Sequence, residues 1–69
     1  MKFNLESDFI RLGDLLKVCG LVDSGAQAKH VVQEGQVKVD GRVRTERGAK
    51  IVSGSKVEFD GKVIEVESK

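Results

Sequence analysis

SGAQAKHVVQEGQVKVDGRVR, residues 24–44, contains the change of period that decides the fold. Ser24 and Gln27 stand at the spacing of a capping box, in which the hydroxyl accepts an amide hydrogen bond three residues on and the Gln side chain reaches back. Ala28, Val31 and Val32 fall on one side of the helix that follows, Lys29 and Gln33 fall on the opposite side with His30 at the boundary, and Gly35 offers a left-handed stop. From Gln36 the period drops to two, and Asp40-Gly41 is a hairpin signal. If Val37 and Val43 are both to face a core, parity requires a three-residue loop at positions 39–41. Val37 then opposes Val43 and Lys38 opposes Arg42, with Gln36 and Arg44 joining the two cations on an outer face. Like charges directly opposite one another are destabilising unless an anion lies over them.

The same logic extends to both ends of the chain. In KVEFDGKVIEV a two-residue Asp60-Gly61 turn pairs Phe59 with Lys62, Glu58 with Val63, Val57 with Ile64 and Lys56 with Glu65. That register puts Val57, Phe59, Ile64 and Val66 on one face. Upstream, Leu12, Leu15, Leu16 and Cys19 follow the i, i+3, i+4, i+7 spacing of a helix, with Asp14 and Lys17 off that stripe. Ser7 and Asp8 are its expected caps, Gly13 belongs in its first turn and Gly20 ends it. KFNL alternates, with Phe3 and Leu5 on one side, as a short strand needing a partner would. The fold class predicted is α+β: one small domain over residues 1–69, with two helices packed on a small, mainly antiparallel sheet.

Composition narrows the function. A chain of 69 residues has room for one domain, and its single Cys19 forms no internal disulfide. One thiol and one His30 do not make a zinc site, so no metal and no cofactor is expected. A free thiol fits a reducing, cytoplasmic setting, and the lack of a long apolar run argues against a membrane span or a signal peptide. Cys19 on the buried stripe is a poor nucleophile, and neither phosphate-loop motif is present, so the chain is not expected to be an enzyme. The net charge is only +1, yet residues 11–50 hold eight Lys or Arg against five Asp or Glu. A positive excess confined to the middle of a chain suggests an anionic partner.

Lys29, Lys38, Arg42 and Arg44 are the cations this reading groups together, with Ser24 and Gly25 supplying a helix N-terminus that favours phosphate. The alternative is an ordinary solvated surface, since basic clusters of this size are common.

IRLGDLLK, SGAQAKHVVQEGQVKVDG and VSGSKVEF, in that order, resemble the alpha-L RNA-binding domain first described in the fourth small-subunit ribosomal protein. The likeness runs from about residue 10 to 59 and is most specific in the helix-Gly-x-Val-x-Val-Asp-Gly segment. The short N-terminal extension and ERGAK are similar to the small stand-alone bacterial members of that family. This resemblance implies a binder of structured RNA that uses the second helix and the following hairpin, with roles for Arg11, Lys29, Lys38, Arg42, Arg47 and Lys50. Gly25 stands where many members carry a basic residue, and Glu46 and Ala49 replace further positive charge, which lowers the expected affinity more than it alters the binding mode.

Readers of unstacked bases use aromatic platforms. With no Trp or Tyr, and with Phe3, Phe9 and Phe59 all expected in the core, recognition should be of backbone shape. The expected partner is structured RNA, with ribosomal RNA or a ribosomal subunit as one candidate, bound by a monomer. Two other readings remain open at the level of sequence: a protein-interaction adaptor using an edge strand near residues 2–5, and DNA binding through the same basic face.

Overall fold

The two helices are short and amphipathic, and the strands alternate, so each element has one apolar side that must be covered by another. In the computed structural model, which describes residues 1–68, the order is β1 (Lys2–Leu5), β2 (Ile10–Arg11), α1 (Leu12–Val18), α2 (Gly25–Gln33), β3 (Val37–Val39), β4 (Arg42–Val43), β5 (Lys50–Ile51), β6 (Lys56–Phe59) and β7 (Lys62–Ser68). Five strands form a sheet in the order β1-β7-β6-β3-β4, antiparallel except for the parallel β1–β7 pair. β2 and β5 form a separate two-stranded ribbon. This is the expected α+β class.

One face of the sheet carries the core. Val37, Val57 and Ile64 are fully buried and Val39 and Val66 nearly so, against Leu12, Leu15 and Leu16 of α1 and Ala28, Val31 and Val32 of α2. Burying a side chain of this size stabilises by about 1.5–3 kcal/mol, so these positions supply most of the driving force. The β6–β7 register is the predicted one, pairing Lys56 with Glu65, Val57 with Ile64, Glu58 with Val63 and Phe59 with Lys62.

The first hairpin differs from expectation. Lys38 pairs with Val43 and Val39 with Arg42, around a two-residue Asp40-Gly41 turn with φ of 52° and 84°. The three-residue loop assumed that Val43 needs a core to enter. Both β4 residues are exposed, so the core ends before it reaches this edge strand, and parity no longer constrains the turn. Turn chemistry decides instead. Asp tolerates the left-handed region, and its Oδ1 accepts from the Lys56 amide at 2.9 Å while its own amide donates to the Lys56 carbonyl at 2.8 Å.

The start of α1 is also not as expected. Ser7 and Asp8 do not cap it: the Ser7 hydroxyl donates to the Phe9 carbonyl, and the N-cap is Arg11 with no side-chain cap. The first amides are satisfied from far along the chain, Leu12 donating to the Ala49 carbonyl and Gly13 to the Arg47 carbonyl, both at 2.9 Å. Pairing of Ile10 with Ile51 and Arg11 with Lys50 holds the 47–51 segment in place for this.

Candidate nucleic-acid interface

α2 is built as its sequence indicates. Ser24 Oγ accepts from the Gln27 amide at 3.1 Å, and Gln27 Oε1 reaches one residue further back, to the Asp23 amide at 2.7 Å. Capping fixes the direction of the helix and leaves the Gly25 end facing α1. Lys29 lies one turn further along the same side and is exposed. At the other end Gly35 has a φ of 74°, and the chain turns into β3.

Between α1, the start of α2 and the 47–48 segment lies an open groove of about 350 Å³, lined by Arg11, Gly13, Asp14, Lys17, Gly25, Ala28, Arg47 and Gly48. Three cations and one carboxylate face this space. Arg47 is fixed there by the backbone bond from Gly13. A Cβ added at Gly13 would lie 3.4 Å from Arg47 Cβ and 3.5 Å from its carbonyl oxygen, so the small residue lets the segment sit against the helix. A Cβ at Gly25 or Gly48 would meet nothing within 4 Å, so these walls are open to an incoming ligand.

The remaining cations do not all share this surface. Because paired residues project to the same side of a sheet, Arg42 shares the helix-bearing face with Val39. Arg44, two residues on and bonded through its amide to the Val37 carbonyl at 3.1 Å, continues along that edge. Lys38 faces the other way. The outer plane predicted for Lys38, Arg42 and Arg44 together is therefore not formed, as a direct result of the two-residue turn.

Lys38 lies instead in a balanced ladder. On the outer face it is flanked by Glu58, while Lys56 opposes Glu65 and Glu65 opposes Lys2 across β1–β7. Lys2 Nζ is also 3.6 Å from Glu67. Opposite charges across strands are favourable, and alternation of this kind leaves little net field.

Lys50 pairs with Arg11 in the ribbon, which places two like charges side by side. Its ammonium lies 4.9 Å from the centre of the Phe9 ring, a cation–π contact. Phe9 is thus exposed, unlike Phe3 and Phe59, which are half-buried against the core as expected. α1 starts three residues later, at Leu12, so Phe9 lies outside the buried stripe of that helix.

Sequence reasoning missed Lys17. Its signal was present, because Asp14 and Lys17 both lie off the apolar stripe of α1, three residues apart. What the sequence did not convey was that the segment around Arg47 folds back over the same turn.

Cys19 is half-buried, and desolvation pushes its thiol pKa up, opposed only in part by the N-terminal ammonium. A thiol so placed stays protonated at neutral pH and is a weak nucleophile. Among the described residues, no three of His, Cys, Asp and Glu gather as a metal site, and no helix is long and apolar enough to cross a membrane.

Comparison with known proteins bears on the family and the fold. The chain is 53% identical over 57 residues to the putative RNA-binding protein YbcJ of Escherichia coli K12, covering 83% of this chain and 81% of that one. The solution structure of E. coli YbcJ, described as revealing an alpha-L motif involved in RNA binding, superposes with a TM-score of 0.74 at 48% identity, over 96% of this chain and 85% of YbcJ. A probable ribosome maturation protein of Bacillus subtilis, RlbA, is 33% identical over 58 residues, or 84% of this chain and 82% of its own. A family model described as the S4 domain matches residues 3–67. With that match spanning almost the whole sequence, and with the YbcJ structure superposing over 96% of it, the chain belongs to the S4 domain family.

Proposed function

We propose that this chain is a non-catalytic RNA-binding domain that holds the backbone of a structured RNA in the groove between its two helices. The observation that carries this reading is the convergence of Arg11, Lys17 and Arg47 on one open groove beside the Gly25 end of α2. Arg11 and Lys17 come from the N-cap and the body of α1, and Arg47 comes from a segment about thirty residues further on that the Gly13–Arg47 backbone hydrogen bond holds against that helix. Lys29 lies further along α2, Arg42 and Arg44 lie on the helix-bearing side at the β4 edge, and Ser24 sets the direction of α2. Lys50 is peripheral, and Lys38 lies outside the interface.

Groove chemistry favours backbone recognition. No aromatic side chain lines it, so there is no platform for a splayed base, while guanidinium groups and open glycine walls suit phosphate and ribose. The RNA-binding descriptions of YbcJ support RNA as the ligand, and the name of the Bacillus relative supports ribosomal RNA. Within this reading the protein acts in the cytoplasm, as one domain and as a monomer. The neutral Cys19 thiol supports a role without covalent catalysis.

The test is crosslinking in cells followed by sequencing of the attached RNA. Enrichment of defined ribosomal RNA segments, lost when Arg11, Lys17 and Arg47 are replaced by Ala, is the expected result. Recovery of no RNA above background from a folded protein would overturn the reading.

A second reading, a protein-interaction adaptor, draws on β1. This strand is a sheet edge, and a shallow apolar groove lined by Phe3, Leu5, Phe9, Ile10 and Val18 runs beside it. Co-purification of a protein partner by the groove variant, with no RNA ever retained by the wild type, would favour it.

A further inference from the structure

Asp14 is the one carboxylate on the lining of a groove otherwise charged by Arg11, Lys17 and Arg47. An acid in the first turn of α1 complements the helix dipole, which gives it a structural reason to exist. That reason does not extend to its position among three cations. Among the described residues no Lys or Arg lies within ion-pairing distance of it, although Lys17 stands three residues along the same helix. Its oxygens are therefore open acceptors on a surface that otherwise offers donors.

A phosphate placed against this carboxylate would be repelled. Whatever part of a polyanion meets Asp14 must be a hydrogen-bond donor. With no aromatic residue to hold an extruded base, the bases stay stacked and the sugar–phosphate backbone enters the groove. The only donor on that backbone is the ribose 2′-hydroxyl, which DNA lacks. Close approach is feasible because Gly13, Gly25 and Gly48 form the surrounding walls.

We infer that Asp14 accepts a hydrogen bond from a ribose 2′-hydroxyl and is the residue by which this groove distinguishes RNA from DNA. The inference rests on the RNA-binding reading above and adds the origin of its selectivity. The cations hold phosphates of either polymer, and Asp14 penalises the one that brings no donor.

The test uses one hairpin sequence in two forms, RNA and DNA with deoxyuridine in place of uridine, titrated by fluorescence anisotropy at fixed salt. Wild type should prefer the RNA form by at least about tenfold, the lower end of what a hydrogen bond to a charged acceptor carries. Asp14→Ala should weaken RNA binding about tenfold and bring the ratio near one, with DNA affinity unchanged or raised. Asp14→Asn, which keeps a neutral acceptor oxygen, should retain part of the preference, and circular dichroism should show both variants folded.

Tighter binding of RNA and DNA alike by Asp14→Ala would overturn the inference, because the carboxylate would then only repel phosphate. An unchanged ratio would overturn it as well. Either result leaves the RNA-binding reading intact, whereas a wild type that binds neither hairpin nor ribosomal RNA removes both.

Discussion

Lys38 lies directly across from Val43, while Arg42 lies across from Val39, so the cations of one short hairpin project to opposite sides of the sheet. The Lys38 side is an acid–base ladder with Glu58 as its neighbour, and the Arg42 side is the one that bears the helices. The proposed RNA-binding surface is accordingly the helix side and its edge. Lys38→Ala should change RNA affinity by less than about twofold. Arg47→Ala should weaken it by about five- to tenfold and lower the salt slope by about one, as loss of a phosphate contact does. Filter binding at several salt concentrations measures both, and a larger effect at Lys38 than at Arg47 would contradict the assignment of faces.

The turn that produces this separation depends on Asp40. It holds φ at 52°, and its carboxylate accepts from the Lys56 amide. Asp40→Asn keeps both the tolerance for that conformation and an acceptor, and should cost less than about 0.5 kcal/mol. Asp40→Ala loses both and should cost about 1–2 kcal/mol. Urea denaturation distinguishes them, and equal stability of the two variants would show that the turn is not held this way.

Ser24 fixes the end of α2 that borders the groove. Ser24→Ala should lower stability by about 1 kcal/mol, the usual value of an N-cap, and the melting temperature by about 4–8 °C for a domain of this size. Ser24→Asp should restore most of it. A melting temperature unmoved by the alanine substitution would mean the cap contributes nothing.

Much of this architecture was legible in the sequence, and the reasons are local. Gln27 three residues after Ser24, the Val31–Val32 pair and Gly35 specify α2 without reference to the rest of the chain, and the Asp60-Gly61 turn fixes the β6–β7 register because valines on both strands have a core to enter. The first hairpin was misread because the same parity rule was applied to Val43, at an edge the core does not reach. The groove was only half visible. Arg11 and Arg47 entered through family resemblance, and Lys17 was passed over, because the contact that unites them is the pair of backbone hydrogen bonds from Leu12 and Gly13 to carbonyls more than thirty residues away. Bonds between backbone groups leave no mark in side-chain pattern. The two-residue strands β2 and β5 were missed for a related reason, since two residues are too few to show a period.

Cys19 offers a pH test. Burial raises its thiol pKa above that of the unfolded chain, so folding favours the protonated form. The resulting stability is fully present below the unfolded thiol's pKa and is lost as pH rises through the folded value. At pH 7.5 iodoacetamide should alkylate Cys19 several-fold more slowly in the native protein than in urea. Equal rates would show a thiol neither shielded nor shifted.

The proposed RNA binding depends most on Arg11, Lys17 and Arg47 neutralising phosphates together in one groove. The most direct measurement is the slope of log affinity against log salt for a structured ribosomal RNA, in the wild type and in the Arg11→Ala, Lys17→Ala, Arg47→Ala variant. With about four to six phosphate contacts the wild-type slope should be about −3 to −5, and the triple variant should lose about two to two and a half from its magnitude while remaining folded. A flat wild-type slope, or a triple variant with the wild-type slope and affinity, would contradict it.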